Sequence, residues 1–241
     1  MKNNNHPAPW LPLLLKYTAT TTGRDKVYRF IQYLGKFAAY RLATLDPKGN
    51  KDQVDKITKL VKHLSLSRKL MRIGRPLEYA QNLIAGVPTT KDPVLLYSLI
   101  AKNGLLAIWM GFDFLAWAQG VGIWKSADPK ALSQNTNRFW FAGLAAGYIA
   151  TVYNVHVLAV LEKAKREGAA MSEDQGKEAK ALLASRNKLL RDLFQQSLDI
   201  LVPAKGLELI SLSDGVIGLT GALTSLMGAQ AQWGKVNSSS K

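Results

Sequence analysis

Lys48–Arg75 reads KGNKDQVDKITKLVKHLSLSRKLMRIGR and carries nine Lys or Arg against two Asp. Within it, Val54, Ile57, Leu60, Val61 and Leu64 recur at three- and four-residue steps, which places them on one face of a helix. Lys56, Lys59 and Lys62 fall on the opposite face. A helix with one cationic and one aliphatic side suits the surface of an anionic membrane. After Leu64 the pattern changes. Leu66, Leu70, Ile73 and Leu77 form a second stripe on nearly the opposite side, with Arg68, Arg72 and Arg75 facing away from it. The spacing predicts a bend near residues 64–67, or two helices meeting there. It predicts a further break at Gly74-Arg75-Pro76, because proline disfavours αR in the residue before it.

Upstream, Thr22 is positioned to cap a helix over about residues 23–45. Its expected inner stripe is Val27, Phe30, Ile31, Leu34, Phe37, Ala38, Leu42 and Leu45, with Arg29 and Lys36 outside. Asp46-Pro47-Lys48-Gly49 is a turn, since proline fixes φ and glycine relieves sterics. Residues 1–21 are Asn-, Pro- and Thr-rich and read as a poorly ordered segment, followed by a basic amphipathic region over 22–92. The formal charge of +15 is concentrated here: residues 1–103 hold 18 Lys/Arg against 6 Asp/Glu. Such asymmetry requires an anionic partner, lipid or nucleic acid. Nucleic-acid modules interleave base-stacking aromatics with their basic residues. Residues 48–75 contain no aromatic, so the reading is an anionic phospholipid membrane and no nucleic acid. Lys56, Lys59, Lys62, Arg68, Lys69 and Arg72 are the expected headgroup ligands. Five aliphatic residues fully buried yield at most ~8–15 kcal/mol, and each cation near an anionic leaflet adds about 1. The apolar face inserts; the charges choose the lipid.

Downstream, residues 93–241 read as a membrane-embedded helical region. Phe139–Leu161 has no formal charge over 23 residues and is bounded by Arg138 and Glu162-Lys163; it is an expected span. Residues 94–124 are helical but carry Asp113, whose central placement costs about 2.5–3.5 kcal/mol. Ser172-Glu-Asp-Gln opens a leucine-faced helix with a capping-box pattern. Residues 212–233 are the second expected span. There Gly218, Gly221, Ala222, Ser225 and Ala229 repeat small side chains at four-residue spacing, which lets helix backbones approach closely.

There is no cysteine, which excludes disulfides and thiolate metal sites. Leu11–Leu15, broken by Pro12, is too short for a secretory signal. His6, His63 and His156 have no metal-pair spacing, and no nucleophile elbow, phosphate loop or dinucleotide fingerprint is present. No catalytic residue, cofactor or metal is expected, so the chain reads as a non-enzyme. His156 is expected in the interior. Asp113, Asp214 and Asn154, in or beside apolar runs, motivate an alternative reading as a pore or transporter for small metabolites.

Three stretches carry a family resemblance. Thr22-Gly23-Arg24-Asp25-Lys26-Val27, running on as YRFIQYLGKFAAY, resembles the N-terminal signature of the peroxin eleven family. Ser67-Arg68-Lys69-Leu70-Met71-Arg72-Ile73-Gly74-Arg75 resembles its second signature, and Gly215–Gly221 its glycine-rich hydrophobic segment. The resemblance implies a peroxisomal membrane protein that elongates the organelle before fission through a cationic amphipathic helix. It also implies self-association, a dynamin-related GTPase and fission factors as partners, and both chain ends in the cytosol. The fold expected throughout is all-α, basic amphipathic helices followed by a membrane-embedded helical region.

Overall fold

Thr20 ends one helix and starts the next. Its hydroxyl donates to the Tyr17 carbonyl (2.8 Å) and accepts from the Gly23 amide (2.9 Å), capping α2 (Thr21–Leu45) behind α1 (Trp10–Ala19). The cap is thus two residues earlier than Thr22. A computed structural model describes residues 10–87, 91–167 and 173–238 of the chain. Residues 1–9 of the expected disordered segment lie outside these, and Trp10–Ala19 is helical. Among the described residues every regular element is an α-helix: α3 (Lys51–Met71), α4 (Arg75–Gly86), α5 (Pro93–Gly120), α6 (Pro129–Arg166), α7 (Glu173–Asp199), α8 (Leu201–Gly206) and α9 (Asp214–Ser238) complete the set. Ser172, expected to open the capping box, lies outside the described residues.

The helices form two compact units. One takes residues 1–72 and 211–241, the other 73–210. This differs from a division at residue 92, because α9 joins the basic helices rather than the long apolar ones. In the first unit α2 is central. Asp46 Oδ1 accepts from the amides of Lys48 (3.2 Å) and Gly49 (3.0 Å), closing the α2–α3 turn. Along the hairpin, Val61 and Ile57 reach the face of α2 around Gly35. Helix α3 runs unbroken from Lys51 to Met71, so the bend expected at 64–67 is absent; the interruption falls at 72–74, ahead of Pro76.

α9 lies antiparallel to α2 on its other side. A Cβ at Gly218 would stand 2.6 Å from the Phe37 amide nitrogen, and one at Gly221 would strike the Tyr33 ring. Gly218, Gly221, Ala222 and Ser225 are buried here and Ala229 is half-buried, so the small-residue stripe does bring two backbones together, with α2 as the partner. The Ser225 hydroxyl is returned to the Gly221 carbonyl, keeping the contact free of unsatisfied polar groups. Among the described residues α9 is not one of the helices long and apolar enough to cross a membrane; those are α5 and α6, and the expected span 139–161 lies within α6.

The second unit is an α5–α6 hairpin with α4 on α5 and α7 and α8 on α6. Leu106, Trp109 and Met110 form its core with Tyr79, Phe139 and Trp140; Trp109 stacks on Trp140 at 5.0 Å and Phe112 on Phe139 at 5.3 Å. Gly143 admits the Leu106 side chain. Polar residues face inward: Ser98, Asn103, Asp113 and Thr151 are buried, while Ile100, Ile108, Phe114, Ile149, Val152 and Val160 are exposed. Such an inside-out distribution is what a hydrocarbon surround demands. Thr151 bonds Gln196 of α7 (3.2 Å), and the Tyr153 hydroxyl donates to Asp92 at the start of α5 (2.7 Å). His156 is exposed on α6, not interior.

Replacing Gly221 by alanine should lower stability by about 1–3 kcal/mol, since a ring of α2 must move. Gly111→Ala, with nothing within 4 Å of the new Cβ, should be neutral or stabilising by about 0.5–1 kcal/mol. Thermal unfolding of the two variants in the same detergent compares them directly.

Candidate functional site

The surface chemistry of the first unit follows from one buried contact. Asp25 on α2 and Arg68 on α3 are 2% and 7% exposed, and the Arg68 Nε donates to Asp25 Oδ1 at 3.0 Å. Arg68 Nη1 also donates to Gln32 Oε1 at 2.7 Å. Burial pulls the Arg68 guanidinium down to about 10, against the opposing pull of Asp25, so it remains charged at neutral pH. Arg29, one turn on from Asp25, is buried too, its guanidinium 5.4 Å from the centre of the Tyr33 ring.

This pair corrects two expectations. Arg68 is not presented to headgroups; it occupies the inward α3 position that continues Val54, Ile57, Val61 and Leu64 at helical spacing. The stripe seemed to change after Leu64 only because an arginine fills its next inward place. On α2 the polar residues Asp25, Arg29 and Gln32 face the neighbouring helices. Half of the stripe expected inside is therefore turned out, with Val27, Ile31, Leu34 and Leu45 exposed, while Phe30, Phe37, Ala38 and Leu42 are half-buried.

The residues expected to insert are mostly engaged. Val54, Ile57, Val61 and Leu64 are half-buried on the α2 side of α3, and only Leu60, at 49%, is exposed. Lys56, Lys59 and Lys62 are exposed as expected, and Lys69 and Arg72 are half-buried. Lys56 pairs with Asp52 at 2.6 Å, a surface ion pair worth a few tenths of a kcal/mol.

A second apolar surface is more open. On α4 and its flanks, Ile73, Leu77, Ile84 and Val87 recur at four- and three-residue steps over one face, with Ala80 between them. Leu77 and Ile84 are 76% and 77% exposed. The opposite face holds Tyr79 against the α5 core and Gly86 against Leu99. Leu77 belongs to the second stripe read in the sequence, but its continuation to Ile84 and Val87 was hidden by reading Pro76 as a terminus. Pro76 starts α4 instead, in the first turn where its missing N–H costs nothing.

The acids of the pore reading belong to different units. Asp113 is buried on α5, whereas Asp214 begins α9 in the other unit and pairs with Lys36 at 3.2 Å. Asn154 is half-buried on α6. Asp25 and Arg29 were not singled out as site residues. The available signal was that Asp25 is the sole carboxylate in residues 10–45, set among Arg24, Lys26 and Arg29.

The two N-terminal signatures thus meet in one ion pair, and the third packs on the same helix. A family model described as peroxisomal biogenesis factor 11 (PEX11) matches residues 11–233. The chain belongs to that family. It is 29% identical to peroxisomal membrane protein PMP30A of Candida boidinii, over 93% of this chain and 94% of that one. It is 30% identical to peroxisomal membrane protein 11E of Arabidopsis thaliana, over 90% and 89%. Human peroxisomal membrane protein 11A is 25% identical over 88% and 92%. No solved structure matches the chain. Its family is one of peroxisomal membrane proteins involved in peroxisome biogenesis, and the relatives are named as membrane or biogenesis proteins, not as enzymes.

Removing one partner of the Asp25–Arg68 pair leaves a buried charge. Arg68→Met should therefore destabilise the fold by about 3–5 kcal/mol, while Asp25→Leu with Arg68→Met should recover most of that loss. Chemical denaturation of the single and double variants measures the difference; equal instability of both would contradict the pairing.

Proposed function

We propose that this chain curves and elongates the peroxisomal membrane ahead of division by inserting apolar helix surface into one leaflet. Its exposed lysines select anionic lipid. The observation that supports the reading is the α4 stripe, whose Leu77 and Ile84 stand about three-quarters exposed. A helix held at the surface by its other face, with bare aliphatic side chains outward, is the geometry of an interfacial wedge. The wedge expected on α3 is mostly engaged with α2, so α4 takes its place, with Leu60 as the exposed remainder of the first stripe. Lys56, Lys59 and Lys62 contact headgroups. Self-association and a dynamin-related GTPase, implied by the family, complete this reading as the machinery that acts on the curved membrane.

Topology follows from the α5–α6 hairpin. Two crossings would return the chain to its starting side, and the basic residues of α2 and α3 favour the cytosol for that side. With α9 packed on α2, the crossing count stays even.

Two outcomes test this. Full-length protein in anionic vesicles should produce tubules visible by electron microscopy. Leu77→Glu with Ile84→Glu should abolish them, whereas Val61→Ala with Leu64→Ala should reduce them only through lost stability. Undiminished tubulation by the α4 variant would remove the wedge from α4. On intact peroxisomes, tags at both chain ends should be digested by added protease while an epitope inserted at 125–127 is protected. Protection of either end would break the two-crossing topology.

A further inference from the structure

Lys102 is the one formal charge along the middle of the α5–α6 hairpin. Residues 93–112 of α5 and 139–161 of α6 hold no other Lys, Arg, Asp or Glu. Charge resumes at Asp92 and Glu162 at one end and at Asp113 and Arg138 at the other. From Asp92 to Asp113 the helix rises about 30 Å, the thickness of a hydrocarbon core, and Lys102 lies about half-way.

Its side chain is bedded on α6. A Cβ at Gly147 would stand 3.2 Å from Lys102 Cδ and 3.3 Å from Cε, so the bare glycine makes room for the stem. Lys102 is nevertheless exposed. Among the described residues no carboxylate lies within ion-pair reach of its ammonium. A lone cation at that depth is costly, and such residues mark the route of a charged group.

The packing around Lys102 supplies a route. α4 lies along α5, with Asn82 opposite Asn103 and Gly86 opposite Leu99. α7 lies along α6, with Gln196 opposite Thr151 and Arg186 opposite Glu162. On each helix of the hairpin this neighbour stands about a quarter turn round from the residues that join α5 to α6, in the same rotational sense. Between antiparallel helices, equal senses put α4 and α7 on one side of the hairpin. Among the described residues α4 and α7 make no contact with each other, which leaves a groove between them. Lys102 and Leu106 of α5 and Gly147 and Thr151 of α6 form its floor. Each wall meets that floor through an amide: Asn82 donates to Asn103 Oδ1 at 3.5 Å, and Gln196 to the Thr151 hydroxyl at 3.1 Å. Away from the groove the same hairpin exposes Ile100, Ile108, Ile149 and Val152.

We propose that this groove passes phospholipid headgroups from one leaflet to the other. The lipid phosphate pairs with Lys102 half-way across, and the amides at the walls stand in for water around the headgroup. The acyl chains stay in the surrounding hydrocarbon, because the groove is open along its length. The inference goes beyond membrane bending and rests on the crossing of α5 and α6. It also meets a need that bending creates. A wedge in one leaflet leaves the two unequal in area, and a lengthening tubule requires lipid in both.

The test uses full-length protein in phosphatidylcholine vesicles that carry a tail-labelled fluorescent phosphatidylcholine or, separately, an entrapped soluble dye. Dithionite added outside bleaches only what it can reach. Protein-free vesicles should lose the outer-leaflet label alone. With the protein, the inner label should follow while the entrapped dye is kept. Lys102→Leu should slow loss of the inner label about tenfold or more, and Lys102→Arg should keep it within about threefold. Ile108→Ala, on the face away from the groove, should change it by no more than about twofold. Lys102→Leu removes a lone cation from an apolar helix, so its unfolding temperature should be unchanged or raised. Dye bleached as fast as the lipid marks an aqueous pore and overturns the proposal. An inner label kept by the wild type, or lost equally fast with Lys102→Leu, overturns it too. Tubulation of anionic vesicles is scored separately. A chain that tubulates without transferring lipid keeps the wedge and loses the groove; one that transfers without tubulating keeps the groove and loses the wedge.

Discussion

The buried bond between Asp25 and Arg68 dictates which way two helices face. At 100° per residue, a helix that turns Asp25, Arg29 and Gln32 toward its neighbours must turn Val27, Ile31 and Leu34 away. A soluble helix would do the reverse, because burying three aliphatic side chains stabilises and burying a charge does not. Excellent geometry limits the cost here, with the guanidinium satisfied by a carboxylate at 3.0 Å and an amide oxygen at 2.7 Å. The pair fixes hairpin register, and its consequence is an oily exterior. That exterior makes sense only where the surroundings are themselves apolar or are about to become so.

Close approach by α9 is the second constraint. Tyr33, Phe37 and Tyr40 of α2 are bulky, so the opposing helix must present glycine at 215, 218 and 221 if the axes are to come near. The outward face of α9 is again aliphatic, with Val216, Leu219, Leu223 and Leu226 exposed. Small residues at four-residue spacing report a tight helix contact and nothing about its medium. Van der Waals packing rewards it equally inside a bilayer and inside a protein. This is why residues 212–233 could be read as a span from their spacing, while the structure pairs α9 with a basic helix.

Much of the architecture was legible. The end of α2 at 45, the interruption ahead of Pro76 and the start of α5 near 94 were read from the sequence, and the all-α class follows from period. What could not be read was orientation. Periodicity identifies an apolar stripe but assigns it to the interior by the habit of soluble proteins, and for α2 that assignment fails for half of the stripe. Nor can spacing reveal that Arg68 has a partner 43 residues earlier, since a buried ion pair leaves no periodic trace. The proposed wedge lies elsewhere than the one expected on α3 for the same reason. Both stripes of residues 48–77 are equally apolar, and only tertiary packing decides that the first meets α2 while the second stays open.

Magnitudes then rank the contributions to membrane contact. Fully burying Ile73, Leu77 and Ile84 is worth about 1.5–3 kcal/mol each, an upper bound near 5–9, and interfacial depth realises only part of it. Lys56, Lys59 and Lys62 add about 1 kcal/mol apiece near an anionic leaflet, weakened by salt. Neither term alone holds a curved state. The stripe would enter any bilayer, and the lysines would rest on any anionic surface without deforming it. Area added to one leaflet is what bends the sheet, so the deforming work belongs to the side chains. In the proposed reading the charges choose the membrane on which it is done. A chain anchored by α5 and α6 would carry both to one membrane, so a wedge would be concentrated at the surface it deforms without having to find it by diffusion.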